Sequence, residues 1–389
     1  MATKPEKSGV SSQHKANLER QKSNINEQIK QLEKQISETK YNKKTQGAIG
    51  LYKAQIARLK DKEATRAGVG KGSTGYSVRK TGDATVILLG YPSVGKSSLL
   101  NVLTNANSPV AAYAFTTLTV IPGVLEYKHA KIQVLDVPGI VSGAAAGRGR
   151  GKEVLAVIRN ADLIIVLMDV FHPEHYDVLV QEIYDTGVRI NQRKPDVKIV
   201  KTTRGGVNIG TTVKLEHLTK EMITAMLKEF KINNADIILR ENITPDQLID
   251  VIEGSKQYIP AIVVANKADL LTKETLGDFK SKLSPAKADI FISANIKYNI
   301  DRLKDLIFER LNFIRIYLKE VNKKADLDVP LIMLKGSSIK DVCLKLHKDF
   351  LQKYKFARVW GKSVRFEGQK IMKPEHVLMD GDILEIHLR

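Results

Sequence analysis

The chain has 389 residues, 43% hydrophobic and 27% charged, which allows two or three domains with buried cores. Its single cysteine, Cys343, excludes an internal disulfide framework; the longest apolar run, residues 163–170, contains Asp169 and is too short to span a bilayer, so a cytoplasmic protein without membrane association is expected. The formal charge of +19 is uneven: residues 1–80 hold 18 Lys+Arg against 7 Asp+Glu, 81–326 hold 32 against 28, and 327–389 hold 12 against 8.

In residues 1–80, Leu18, Ile25, Ile29, Leu32 and Ile36 recur at helical spacing, and Ile49, Tyr52, Ile56 and Leu59 repeat the pattern after a polar break. This predicts a basic helical hairpin, followed by a glycine-rich connection at 68–75. So short a hairpin buries little area by itself and is expected to lean on another domain or on an RNA surface. Its charge points to a polyanion, ribosomal RNA foremost, the plainer reading being a solvated helix pair that keeps the protein soluble.

Next comes an apolar β-branched strand, 85–89, then Gly90-Tyr91-Pro92-Ser93-Val94-Gly95-Lys96-Ser97, then the start of a helix at 98–103. Strand, glycine loop and helix are the setting in which G-x-x-x-x-G-K-[ST] cradles phosphates. Backbone amides from Ser93 to Ser98 would surround the β-phosphate, Lys96 would reach the β and γ oxygens, and the Ser97 hydroxyl would ligate Mg²⁺. Strand 131–135 delivers Asp136-Val137-Pro138-Gly139, with Asp136 a candidate for the metal shell and the Gly139 amide a candidate γ-phosphate sensor. Strand 261–265 delivers Asn266-Lys267-Ala268-Asp269, whose carboxylate can accept from both guanine N1 and N2, a donor pair that adenine lacks. Strand 289–292 ends in Ser293-Ala294-Asn295, placed to meet the guanine O6. Each motif alone is weak; four in order on strand ends point to GTP.

The stretch between Asp136 and Asn266 exceeds what one strand and one helix need, so residues 174–244 are expected to form an α+β insertion, with strands at 197–200 and 235–239, a helix at 218–230 and a loop at 204–211 without identifiable chemistry. A helix with Ile300, Leu303, Ile307, Leu311, Ile314 and Leu318 on one face precedes the final unit. There a strand at 330–334, a helix at 339–350, strands at 357–360 and 364–366, and a strand at 383–387 suggest a β-grasp. The eight histidines show no metal-ligand spacing, so no structural metal is predicted, and Cys343 reads as a buried helix residue.

The whole resembles the Obg superfamily of GTPases, and specifically the developmentally regulated GTP-binding (DRG) family, from about residue 15 to the C-terminus. The glycine loop carries the likeness, with Tyr113-Ala114-Phe115-Thr116-Thr117-Leu118-Thr119, Ile121-Pro122-Gly123-Val124, and Asn234-Ala235-Asp236-Ile237 with Asp250-Val251-Ile252-Glu253-Gly254. The resemblance implies a helix-turn-helix N-terminus over 1–80, an α/β P-loop GTPase domain over 81–325 with a mostly parallel sheet and helices on both faces, the insertion at 174–244, and a C-terminal TGS β-grasp over 326–389. It makes 113–119 the first switch segment and Thr117 the hydroxyl that joins Ser97 and Asp136 around Mg²⁺.

Water attacking the γ-phosphorus would give GDP and phosphate, with Lys96, Thr117 and Gly139 as the catalytic candidates. Ile140 occupies the place where many GTPases put a water-orienting glutamine, so unassisted turnover should be slow, on the order of 10⁻³ per second or below. Arg148 or Arg150, a partner-supplied group, or a potassium ion are the candidates to complete the site, the plainer reading of the two arginines being a mobile loop that docks onto a partner; Ser93 stands where several potassium-stimulated relatives have asparagine. A GTP switch on ribosomes or ribosomal RNA is the expected function, with a stabilising protein partner left open; the alternative is a nucleotide-gated RNA- or protein-binding module with incidental hydrolysis.

Overall fold

A computed structural model describes residues 12–40, 45–66, 82–104, 121–137, 157–272 and 288–389. The chain forms two compact units, each assembled from two stretches: 1–74 with 193–256, and 75–192 with 257–389.

Helices α1 (Ser12–Glu38) and α2 (Gln46–Arg66) begin the first unit and pack on each other, α1 turning Ile25 and Ile29 inward. The second unit then starts with β1 (Ala84–Leu89), α3 (Lys96–Leu103), β2 (Ile121–Tyr127), β3 (Ala130–Asp136), β4 (Leu163–Asp169), α4 (His175–Asp185) and β5 (Val188–Ile190). The chain returns to the first unit for β6 (Val197–Lys201), β7 (Val207–Thr211), α5 (Lys220–Glu229), β8 (Ala235–Leu239) and α6 (Pro245–Glu253). Back in the second, it adds β9 (Gln257–Ile259), β10 (Ala261–Asn266), β11 (Ile290–Phe291), α7 (Ile300–Arg310), β12 (Phe313–Leu318), β13 (Leu331–Leu334), α8 (Ile339–Leu346), α9 (Lys348–Gln352), β14 (Tyr354–Trp360), β15 (Gln369–Ile371) and β16 (Ile383–Leu388).

The main sheet runs β11-β10-β4-β1-β3-β2, parallel except for the edge pair β2–β3. β1, β4 and β10 are buried at every position, which is why they read as unbroken apolar runs: both faces are covered. Leu99, Leu100 and Leu103 of α3 and Leu303 and Ile307 of α7 share one core cluster with Val86, Leu88 and Ile132. Leu179 and Ile183 of α4 share the other with Ile87, Leu89 and Val166. Helix α4 thus belongs to the main sheet, and the insertion expected to begin at 174 begins near 193.

In the first unit, β6-β8-β7 form a small sheet whose core joins Ile237 and Leu239 to Ile223, Met226 and Leu227 of α5, Leu248 of α6 and Ala54 of α2. Gly47 and Gly50 of α2 face Met222 and Pro245 across this contact, which Lys53–Asp246 (2.7 Å) and Arg58–Glu229 (2.6 Å) flank. The hairpin leans on the insertion. Part of the expected loop at 204–211 is strand β7, its Val207 and Ile209 packed on this core while Asn208 and Gly210 face out.

The last five strands run β13-β12-β16-β14-β15, with Ile339, Val342 and Cys343 of α8 packed against Ala357, Val359 and Leu384. Three expectations fail here. The helix expected through Leu318 ends at Arg310; Asn312 turns with φ 50°, and Ile314 and Ile316 then alternate inward along a strand. Residues 364–366 form a turn rather than a strand. The helix expected at 339–350 breaks at His347, whose extended backbone caps α9 and whose ring accepts from the Asp349 amide. Among the described residues no helix is long and apolar enough to cross a membrane.

Candidate nucleotide-binding site

β1 ends where Gly90 crosses β4; a Cβ there would lie 2.4 Å from the Leu167 carbonyl oxygen, so only glycine fits. The chain then turns through Ser93 (φ 63°) and Gly95 (φ 92°), and α3 starts at Lys96. The first amides of a helix have no partners within it, and the peptide dipoles leave partial positive charge there, so loop and helix start together form an anion cradle. Lys96 Nζ donates to the Gly90 and Tyr91 carbonyls, 2.9 Å each, closing the loop across its mouth. Burial pushes this ammonium below its usual range, with the Asp136 carboxylate pulling the other way.

The Ser97 hydroxyl donates to Asp136 Oδ2 at 3.1 Å. Asp136, the last residue of β3, is 3% exposed, and its Oδ1 is buried without a hydrogen-bond partner among the described residues. Desolvation raises this carboxyl above the ordinary range, against the opposing pull of Ser97 and Lys96. An orphaned carboxylate oxygen is costly unless something occupies it. Beside a serine hydroxyl it offers hard oxygens of the kind Mg²⁺ takes, so these residues fit that ion.

Asn266 ends β10, 3% exposed, and both ends of its amide are used: Nδ2 donates to the Val94 carbonyl (2.8 Å) and Oδ1 accepts from the Ala294 amide (3.1 Å). One side chain therefore ties the phosphate loop to the 293–295 segment. It also explains Gly95, where a Cβ would come within 2.4 Å of Asn266 Nδ2. Lys267 follows in left-handed conformation and its Nζ pairs with Asp169 Oδ2 at 2.6 Å. Asp269 stands exposed on a short 3-10 turn, Ala268–Leu270. Ser293 is fully buried, exchanges two backbone hydrogen bonds with Tyr298, and its Oγ accepts from the Ile296 amide; Asn295 is exposed.

Ser93, Val94, Gly95, Lys96, Ser97 and Ser98, Asp136, the 266–269 segment and 293–295 thus gather at the C-terminal end of one sheet, where doubly wound folds bind ligands. Thr117 and Gly139 lie outside the described residues, as do Thr116, Ile140, Arg148 and Arg150. Two features escaped the sequence reading. Asp169 is a carboxylate ending an apolar strand, a visible anomaly, and its partner is Lys267. Tyr91 stacks on His175 with ring centroids 4.1 Å apart. The absence of ligand spacing among the histidines also needs correction, since His172, Glu174 and His175 share one turn with their ligand atoms all within 4.8 Å.

Residues 85–202 match the family described as a 50S ribosome-binding GTPase, 204–313 the C-terminal region of that domain, and 314–388 the TGS domain, which moves the boundary expected at 326 back to β12. The chain is 50% identical to an uncharacterized GTP-binding protein of Methanocaldococcus jannaschii, covering 97% of this chain and 96% of that one. It is 41% identical to developmentally-regulated GTP-binding protein 1 of Xenopus laevis (92% and 97% covered) and 38% to developmentally-regulated GTP-binding protein 2 of Homo sapiens (93% and 99%). With such identity along nearly the whole length, on a sheet whose strand ends gather the phosphate loop and the N-K-x-D segment, the chain belongs to the developmentally regulated GTP-binding family of GTPases.

Proposed function

We propose that this GTPase turns over slowly and acts as a nucleotide switch on ribosomes or ribosomal RNA, in the cytoplasm. The observation that carries the nucleotide half is the Asn266 bridge. It couples the loop that would hold the phosphates to the segment that would meet the base, so both ends of one guanine nucleotide bear on one buried side chain. In this reading the amides of 93–98 and the Lys96 ammonium hold the phosphates, and Asp269 accepts from guanine N1 and N2. The Ser293-Ala294-Asn295 backbone meets O6. Ser97 and Asp136, with Thr117, would hold Mg²⁺, which supplies charge neutralisation on the transferring phosphoryl group. Lys96 would exchange its two loop carbonyls for phosphate oxygens as the nucleotide enters. Thr117 and Gly139 would respond to the γ-phosphate and let go once hydrolysis removes it.

The ribosomal half rests on the charge of residues 1–80, on exposed Lys30, Lys34, Lys40, Lys60 and Lys62 along the hairpin, and on the description of the family matched by 85–202. Steady-state GTP hydrolysis in potassium and in sodium, with and without purified ribosomal subunits, tests it. The switch predicts a rise of at least tenfold with particles, and of roughly 10³-fold or more if they supply a missing catalytic group. Turnover fixed at baseline, with particle binding that still differs between GTP and GDP, would favour the gated-module reading instead. Equal binding in both nucleotide states would sink both.

A further inference from the structure

A short turn joins β4 to α4, and both of its ends are tied to the nucleotide site. At the start, Asp169 Oδ1 accepts from the Phe171 amide at 3.0 Å while its Oδ2 pairs with Lys267 of the N-K-x-D segment at 2.6 Å. At the end, His175, the first residue of α4, lies with its ring on that of Tyr91 in the phosphate loop, centroids 4.1 Å apart and planes 16° from parallel. Backbone bonds hold the turn between them: the His172 amide donates to the Asp169 carbonyl (3.1 Å), and the His175 amide to that of His172 (3.2 Å).

The turn brings two imidazoles and a carboxylate together. His172 and His175 stack with centroids 5.1 Å apart, Glu174 Oε1 lies 3.1 Å from His172 Nδ1, and one ligand atom from each of the three falls within 4.8 Å of the others. His172 and Glu174 are exposed and His175 is half-buried, so a dissolved ion reaches the group directly. In a tetrahedral centre with bonds of about 2.0–2.1 Å the donors stand about 3.4 Å apart. The His172–Glu174 pair is already at that spacing, and rotation of side chains on an exposed turn supplies the rest of the closure. Helix capping does not account for the group, because Glu174 is the N-cap residue of α4 and its side chain makes no cap hydrogen bond.

We propose that His172, Glu174 and His175 bind one divalent transition-metal ion of the zinc class, and that the bound ion stiffens the phosphate loop through the His175–Tyr91 stack. Imidazole nitrogens suit zinc, nickel and copper, whereas Mg²⁺ takes oxygen donors, so this site is chemically distinct from the one at Ser97 and Asp136. Three protein ligands leave a fourth position to water. Holding His175 in one rotamer holds Tyr91, whose carbonyl accepts from Lys96 Nζ. A loop ordered in advance costs the nucleotide less to bind, which makes the two ligands mutually favourable.

Calorimetric titration of the full-length, nucleotide-free protein with Zn²⁺, in excess Mg²⁺, should give one ion per chain. His172→Gln and His175→Phe should each weaken this binding about tenfold or more, at least what outer-shell substitutions cost a metal site. The phenylalanine keeps a ring against Tyr91, so a melting temperature unchanged in the absence of zinc shows that the packing survives. Co²⁺ in place of zinc should give visible absorption bands that both variants lose. With Mg²⁺ saturating, zinc should tighten GDP binding about fivefold or more, and GDP should raise zinc affinity by the same factor. The effect should vanish in His175→Phe, which separates it from zinc held by the phosphates themselves. No binding by the wild type, displacement by Mg²⁺, or equal binding by the two variants overturns the site. Zinc binding that leaves GDP affinity unmoved overturns the coupling to the loop.

Discussion

Asp136 shows how a residue can be costly to the fold and still be kept. Its carboxylate is buried with one oxygen unpartnered among the described residues, and desolvation raises its pKa, so ionising it costs the folded state more than the unfolded one. The carboxyl is therefore neutral in folded and unfolded chains below the ordinary carboxylate range, about pH 4, and stability is lost as pH rises through the raised value. Asp136→Asn should then stabilise the nucleotide-free protein by about 1 kcal/mol at neutral pH, a gain that shrinks as pH falls from the raised value toward about 4 and is gone below it. The same variant should lose most magnesium-dependent GTP affinity; thermal melts across pH, paired with nucleotide titrations, check both halves. Asp269 is the opposite case, exposed on its short turn. Asp269→Asn should leave the melting temperature unchanged and weaken GTP binding about tenfold or more, because an amide offers one acceptor where two donors wait. Undiminished GTP affinity in that variant would remove the basis for guanine selection.

At the scale of elements, the sequence was most legible where a single physical demand ruled. The glycine loop and the buried parallel strands were readable because burial on both faces leaves an unbroken apolar run and close approach leaves a glycine. Legibility failed where two periods coincide: Leu311, Ile314 and Leu318 fit a helical stripe, yet Ile314, Ile316 and Leu318 fit a strand equally well, and only the turn at Asn312 separates them. Strand β7 hid because Asn208 and Gly210 occupy its outer positions. The site was legible as motifs and illegible as a network, since the Asn266 bridge and the Lys267–Asp169 pair join residues far apart in the chain. The seat of α2 was hidden too, because a small residue such as Ala54 gives no signal of its own. Ala54→Asp places an unpaired charge in that core and should free the hairpin, so limited proteolysis should remove residues before 67 quickly while GTP affinity stays intact. Resistance equal to the wild type would show that the hairpin is held by other contacts.

Across the whole molecule, the charge belongs with the hairpin, but deleting the hairpin would also strip the cover from the core around Ala54 and confound the result. Replacing exposed Lys30, Lys34, Lys60 and Lys62 with Gln removes charge without touching that core. Affinity for ribosomal RNA should fall, and the slope of log affinity against log salt should flatten by nearly one for each phosphate no longer neutralised. An unchanged slope would assign the RNA-binding surface elsewhere. The two-segment construction of the first unit also bears on biosynthesis. Helix α2 leaves the ribosome long before α5, β8 and α6 exist. At roughly 5–20 residues per second, the wait is on the order of 10 to 30 s. During that interval a newborn lysine-rich helix pair stands without its seat beside the most abundant polyanion in the cell, so nascent chains are expected to depend on a temporary cover that the finished protein does without.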